Sequence, residues 1–342
     1  MKKSTTKNEY TNESISSLKG ADRVRLRPSV IFGSDGLEGC EHSVFEILSN
    51  AIDEAREGFG SKIEIVLGKD NDITVCDHGR GIPVDYNANE ERYNWELLFC
   101  EMYAGGKYNN NGGDNYEFSL GLNGLGLCAT QYSSEFMDVT IFRDGYKYEL
   151  KFEKGENVGG LKKEKTNVKS TGSTIHWKPD REVFTDIDIP VEYFQDVLKR
   201  QCIVNAGLTF ELTDEKTGEK YTYCYENGIK DYINELSDGK NFTEVQYYTS
   251  EAKGRDRADK DEYRLKFELA FCFNNEVNAL EYYHNSSYLE HGGSPDKAVR
   301  SAFVSAIDSY LKNNNLYNKN EKKIVFSDVE DSLVLIINSF ST

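Results

Sequence analysis

Long apolar runs, paired cysteines and positive charge are what this chain has least of. No hydrophobic stretch approaches the roughly 18–20 residues that a membrane span needs. The longest, such as Leu333-Val334-Leu335-Ile336-Ile337, are strand-sized. The opening Met1-Lys2-Lys3-Ser4-Thr5-Thr6 has no apolar segment behind its lysines and does not read as a signal peptide. Seven cysteines (Cys40, Cys76, Cys100, Cys128, Cys202, Cys224 and Cys272) form an odd, scattered set without a Cys-x-x-Cys pair. That pattern argues against a disulfide scaffold and against a zinc site, and fits a reducing, cytoplasmic setting. Lys and Arg number 41 against 58 Asp and Glu, a net charge of −17. Direct DNA binding is therefore not expected, because neutralising phosphates takes clustered cations. The two commonest nucleotide fingerprints are missing as well, the Rossmann glycine pattern and G-x-x-x-x-G-K-[ST].

What is present points to a folded chain. Hydrophobic residues make up 38% and aromatic residues 12% of the 342 positions, enough for real cores. A single core rarely grows beyond about 250–300 residues, so two domains are expected. The order of elements suggests two α+β units with no internal repeat. The first forty residues read as an arm followed by a loop. A helix is expected over Glu41–Arg56, where Val44, Leu48, Ala51 and Ala55 recur at helical spacing. Strands follow at Lys62–Leu67 and Asp72–Cys76, then at Met137–Phe142, Lys147–Phe152 and Ser173–Trp177, with a helix over 186–201. Tyr103–Gly126, rich in Gly and Asn, reads as a long lid-like loop. The character changes near residue 230, where we expect the domain boundary. Beyond a short helix and a charged stretch at Glu251–Asp261 come a strand at Tyr263–Phe273 and a last strand at Leu333–Ile337. Between them a helix is expected from Ser294-Pro295, with Val299, Phe303, Ala306, Ile307 and Tyr310 on one side.

Three constellations could carry chemistry. Glu46 and Asn50 stand four apart on the early helix and project together, with Asp53 a turn further on. Such a stripe suits a solvated helix face. The sharper reading, which this stripe alone supports weakly, is a carboxylate that takes a proton from water, beside an amide oxygen that ligates a hard cation such as Mg²⁺. Next, Asp77-His78-Gly79-Arg80-Gly81-Ile82-Pro83 follows directly on a strand. An ionised Asp offers acceptors only, so it matches the exocyclic amine of adenine and opposes the keto oxygen of guanine. A charged turn is the plainer alternative. Last, Tyr103-Ala104-Gly105-Gly106-Lys107-Tyr108 and Gly121-Leu122-Asn123-Gly124-Leu125-Gly126 feed an apolar, helix-like segment at Leu125–Ala129. Free backbone N–H groups there would attract phosphate, with Lys107 as counter-charge.

The order of these motifs carries more than any one of them. A helix with E-x-x-x-N, a strand ending in D-x-G-x-G, a G-x-x-G-x-G lid and a late T-G-S resemble the Bergerat-fold ATPases. Within them the chain is similar to the N-terminal ATPase half of the B proteins of bacterial type IIA topoisomerases, gyrase B or topoisomerase IV B. Leu18-Lys19-Gly20, Val24-Arg25-Leu26-Arg27-Pro28, the stretch Val44–Ala55, Tyr103–Lys107 and His291-Gly292-Gly293-Ser294 extend the likeness from about Tyr10 to the end.

The resemblance implies an α+β fold. A Bergerat-type α/β sandwich with an N-terminal arm and a lid at about 101–126 would occupy residues 1–230. A transducer domain of ribosomal S5 domain 2-like fold, incomplete at its C-terminus, would occupy 231–342. It implies ATP and Mg²⁺ as cofactors, with Glu46 as general base and Asn50 as the Mg²⁺ ligand. Asp77 and Ser173 would hold the adenine, flanked by Gly81, Ile82 and Pro83. Asp53, Lys107, Leu122, Asn123, Gly124, Leu125 and Gly126 would complete the nucleotide site. Tyr10 would reach the nucleotide of a second copy, so that ATP closes a homodimer. Arg80 and Arg143 match the rim where aminocoumarin-type inhibitors bind in relatives. The larger enzyme would add an A-type topoisomerase subunit and DNA. Two departures stand out: Leu120 and Asn123 replace a glycine and a histidine of the usual S-G-G-L-H-G lid, and the Q-T-K segment of the transducer is not found. A piece of a longer polypeptide is therefore expected. A nucleotide-dependent dimerisation module with little turnover is the alternative.

Overall fold

The computed structural model describes residues 17–104, 120, 125–255, 257, 259 and 262–341. Tyr10, Lys107, Leu122, Asn123 and Gly124 lie outside the described residues.

The first long helix, Leu37–Arg56, owes its place to Cys40, Val44, Ile47, Leu48, Ala51 and Ile52, which recur every three or four residues and are all buried. Behind it, strand Lys62–Leu67 alternates as expected, with Ile63, Ile65 and Leu67 turned into the core. This strand sits inside a nine-stranded sheet. In order, the sheet runs Lys220–Tyr223, Thr209–Asp214, Lys62–Leu67, Ile73–Asp77, Gly172–Pro179, Ser134–Arg143, Tyr146–Glu153 and Glu156–Asn157, with Lys162–Lys165 also on Tyr146–Glu153. Lys62–Leu67 pairs in parallel with Thr209–Asp214 and antiparallel with Ile73–Asp77, so the sheet is mixed.

Helices cover one face of it. Helix Val191–Val204 contributes Phe194, Leu198 and Cys202 to that layer. Helix Gly126–Tyr132 packs beside the long helix. Trp177 is fully buried, and its indole N–H donates to the Thr130 carbonyl at 3.1 Å, so a large apolar body enters the core with its polar atom satisfied.

The second sheet has five strands, in the order Gln246–Gly254, Tyr263–Phe273, Leu333–Ser341, Ala279–His284 and Ser287–Tyr288. Leu333–Ser341 runs down its middle. On one face Val334 and Ile336 meet Ile229 and Ile233 of helix Ile229–Ser237; on the other Leu333, Leu335 and Ile337 meet Val299 of helix Gly293–Asn313. Cover on both faces explains why this strand reads as a continuous apolar run rather than an alternation. Ile203 and Val204, at the end of helix Val191–Val204, join the core of the second sheet. The Gln201 amide donates to the Ser286 carbonyl at 2.9 Å and ties the two units together.

Several expectations need adjustment. Residues 17–40 are not a plain loop: short helices occupy Asp22–Arg25 and Pro28–Phe32. They are fixed by Arg25, which bonds Asp180 at 2.6 Å and the Tyr132 and Ser134 carbonyls. The helix expected over 186–201 runs Val191–Val204. Glu251–Gly254, the start of the charged stretch, belong to strand Gln246–Gly254, and the last strand continues to Ser341. The late helix starts at Gly293 behind an N-cap at Gly292, not at a Ser294 cap. Gly292 takes that place because its φ of +67° favours glycine and a Cβ there would stand 2.6 Å from that of Asp296. On the same helix Ala306 and Tyr310 face solvent, whereas Phe303, Val304 and Ile307 pack inward.

Candidate functional site

The long helix and the end of strand Ile73–Asp77 face each other across a cavity of about 320 Å³. Its walls are mainly apolar: Ile47 and Ala51 from the helix, Val75 and Ile175 from the sheet, and Leu98 and Leu127 from the flanking helices. Its polar groups converge from separate segments: Asn50, Glu54, Asp77, Arg80, Arg143 and Ser173. Gly81, Ile82 and Pro83 close one side. A concave, apolar chamber with a few fixed polar groups is the usual form of a small-molecule site.

Asp77 ends its strand with one carboxylate oxygen, Oδ1, accepting the Gly79 N–H at 2.9 Å. Burial pushes its pKa above the ordinary 3.8, opposed by the backbone N–H groups of Gly79 and Ser173. Ser173 fastens the next segment: its Oγ accepts the Ile82 N–H at 3.0 Å. Gly172 lets the two strands close here, since a Cβ would stand 2.2 Å from the Asp77 carbonyl oxygen and its φ is +149°. Thr171 adds a hydrogen bond to the Gly79 carbonyl at 2.6 Å, so T-G-S is tied to the turn after Asp77 at both Gly79 and Ile82.

Arg80 is held rather than free to wander. Glu54 accepts its backbone N–H, its Nε and its Nη2 at 2.8, 2.8 and 2.9 Å. Its guanidinium also lies 3.8 Å above the centroid of the Phe59 ring. Arg143 reaches in from the neighbouring strand and donates to the Gly81 carbonyl at 2.7 Å.

Glu46 and Asn50 project from the helix as their spacing predicts. The Asn50 Nδ2 donates to the Glu46 carbonyl at 2.8 Å, so its amide oxygen is the atom able to meet a cation. Glu46 itself lies against Gly126, where a Cβ would stand only 1.9 Å from Oε2. Thus Gly126 lets the carboxylate sit at the start of helix Gly126–Tyr132, with Leu125 at its cap. His42, one turn earlier, places Nε2 3.4 Å from Glu46 Oε1, and this contact raises the imidazole pKa above its ordinary value. Asp53 is set apart from the cavity. It is 1% exposed, accepts the Leu120 N–H at 2.8 Å and lies 3.8 Å from Arg56 Nη1.

Glu54, His42 and Leu127 have no role assigned from sequence. Glu54 follows Asn50 by one helical turn, the single signal that could have placed it at the site.

Comparison with known proteins fits this geometry. Residues 37–182 match the family described as histidine kinase-, DNA gyrase B- and HSP90-like ATPase, and residues 228–342 match DNA gyrase B. The chain is 32% identical to the B protein of DNA topoisomerase 4 from Streptococcus pneumoniae, over 98% of this chain and 50% of that protein. It is 33% identical to DNA gyrase B of Streptococcus pyogenes, over 96% of this chain and 50% of that one. Among solved structures, the 43K ATPase domain of Thermus thermophilus gyrase B, in complex with an aminocoumarin, superposes with a TM-score of 0.71 and 26% identity, covering 94% of this chain and 81% of that one. The topoisomerase IV ATP-binding domain of Francisella tularensis, in complex with a small-molecule inhibitor, gives 0.70 and 27%, covering 94% and 82%.

The first sheet, its helical cover and the cavity between them are thus those of the gyrase B-like, or Bergerat-type, ATPase fold, followed by the gyrase B transducer region. The chain belongs to the DNA gyrase B and topoisomerase IV B family. It spans about half the length of the curated relatives it matches. No helix among the described residues is long and apolar enough to cross a membrane.

Proposed function

We propose that this chain binds ATP in the Asp77 cavity and hydrolyses it, with residues 1–230 forming the ATPase unit and 231–342 part of a transducer. The observation that carries this reading is Asp77 itself, an acceptor at a strand end whose carboxylate is oriented by the Gly79 N–H inside a mainly apolar chamber. The adenine amine would donate to it, helped by Ser173, with Gly81, Ile82 and Pro83 against the base. Leu125 and Gly126 would offer backbone N–H groups to the phosphates, together with Lys107, Leu122, Asn123 and Gly124. Asp53 would act at a distance, by anchoring the end of the lid through the Leu120 N–H.

Mg²⁺ fits the donor set: Asn50 supplies one hard oxygen, and phosphates and waters would supply the rest. The ion would offset charge on the phosphates. Glu46 would take the proton of the attacking water, with His42 and Gly126 fixing where its carboxylate stands. Arg80 and Arg143 frame the outer side of the cavity and are the positions we assign to inhibitor contacts.

In a longer polypeptide, nucleotide-driven closure of a homodimer, with Tyr10 crossing to the second copy, would gate DNA passage alongside an A-type topoisomerase subunit. Steady-state turnover against chain concentration tests this. Activity that rises as dimers form supports it, and Glu46→Gln should lower turnover by about 10²- to 10⁴-fold while leaving analogue binding intact. Dimer closure without turnover in the wild-type chain would leave a nucleotide-dependent dimerisation module.

A further inference from the structure

The open face of the first sheet carries a second constellation, back to back with the cavity. Antiparallel register sets Glu64 opposite Cys76 and Ile63 opposite Asp77. Side chains alternate along a strand, so Cys76 leaves on the face that Asp77 does not use, and His78, just past the strand end, meets Glu64 beside it. The three side chains converge: one donor atom each from Glu64, Cys76 and His78 lies within 4.8 Å of the other two. His78 Nε2 stands 2.7 Å from Glu64 Oε2, while Lys62 Nζ holds the other oxygen at 2.8 Å. Thr174 Oγ1 donates to the Cys76 sulfur at 3.3 Å. An ordinary surface ion pair accounts for His78 and Glu64. It does not account for a thiol beside them with its own hydroxyl donor.

We propose that Glu64, Cys76 and His78 form a binding site for a borderline-soft divalent cation, Zn²⁺ being the best match. A thiolate, an imidazole and a carboxylate are zinc-type donors, whereas Mg²⁺ takes oxygen. The two anionic groups neutralise the ion, the Cys76 thiol proton leaves to solvent as the S–metal bond forms, and the proton that His78 Nε2 shares with Glu64 moves to Nδ1 so that Nε2 can ligate. The cation enters between His78 Nε2 and Glu64 Oε2 without displacing Lys62. Thr174 then serves as the outer hydrogen-bond partner that orients the sulfur. Side-chain exposures of 44% for His78 and 35% for Glu64 leave an entry path and room for water as a fourth ligand. Cys-x-x-Cys spacing could not reveal this site, because its ligands meet across two strands. Such an ion would pin residues on both sides of Asp77. The proposal does not depend on what the cavity binds.

The test uses the full chain, stripped with chelator, kept reduced with a phosphine and titrated with Co²⁺ and then Zn²⁺. The expected result is one equivalent bound, with a thiolate-to-cobalt charge-transfer band that Zn²⁺ displaces and excess Mg²⁺ does not. Cys76→Ser should abolish the band. His78→Ala and Glu64→Gln should weaken Zn²⁺ binding about tenfold or more. Cys224→Ser, at another partly exposed cysteine, should change neither. A band that survives Cys76→Ser, wild-type affinity in His78→Ala, or the lack of a one-to-one complex would overturn the proposal. Melting curves without metal check that each variant is folded, and the His78 and Glu64 variants decide the matter alone if Cys76→Ser is not.

Discussion

Replacing Gly126 by alanine offers a sharp test of how the candidate base is held. The new Cβ would stand 1.9 Å from Glu46 Oε2, 2.6 Å from its Cδ and 3.1 Å from its Cβ. Reaching an ordinary carbon–oxygen contact of about 3.3 Å moves the carboxylate by more than about 1 Å. A misplacement of that size costs on the order of 10²-fold in rate, or about 2.7 kcal/mol of barrier. Stability should barely change. Alanine gains up to about 1 kcal/mol over glycine in a helix, offset by about 0.5–1.5 kcal/mol for an off-rotamer Glu46. The backbone N–H is retained, so nucleotide affinity should hold. The assay is turnover at saturating nucleotide and Mg²⁺, with analogue binding and a thermal melt on the same sample. Wild-type turnover in a folded Gly126→Ala chain would refute the claim that Glu46 acts from its observed position.

Two further outcomes follow from the geometry. Glu54→Ala removes the hydrogen bonds to the Arg80 N–H, Nε and Nη2, which lie between the buried and exposed extremes at side-chain exposures of 15% and 30%. We expect a loss of about 2 kcal/mol in urea unfolding together with weaker nucleotide binding, and an unchanged midpoint would contradict it. The pH dependence has a definite sign. Burial raises the Asp77 pKa above 3.8, and a protonated Asp, having lost its charge and turned one oxygen into a donor, is a weaker acceptor for the adenine amine. Affinity should therefore be complete above that raised pKa and be lost as pH falls through it, at a higher pH than an ordinary Asp would give. Calorimetry across pH 4–7 checks this, and a flat profile there would count against Asp77.

Much of this was legible because the chemistry sits on regular elements. Strand Lys62–Leu67 and the helix over Glu41–Arg56, which begins a turn earlier at Leu37, announce themselves by period, and they bring Glu46, Asn50 and the Asp77 strand into one neighbourhood. What stayed hidden depended on pairing between distant segments. Glu54 and Arg80 are 26 residues apart and meet only once the sheet forms. Asp53 shares the polar stripe of Glu46 and Asn50, yet it is buried and accepts the N–H of Leu120, a residue far away in sequence. Tyr310 has the spacing of a core residue, yet it is 62% exposed, and Phe303, Val304 and Ile307 carry the packing of that helix. Of the three groups of the proposed cation site, Glu64 and Cys76 pair across adjacent strands and His78 lies just past the end of one, so no sequence spacing reveals them.

The measurement that bears most directly on the central claim is calorimetric titration of the chain with a non-hydrolysable ATP analogue and Mg²⁺, beside the matching GTP analogue. The account expects one adenine-selective site whose affinity falls about 10- to 150-fold in Asp77→Asn, the loss of one charge-assisted hydrogen bond of about 1.5–3 kcal/mol. Equal binding of the two nucleotides, or undiminished affinity in Asp77→Asn, would contradict it.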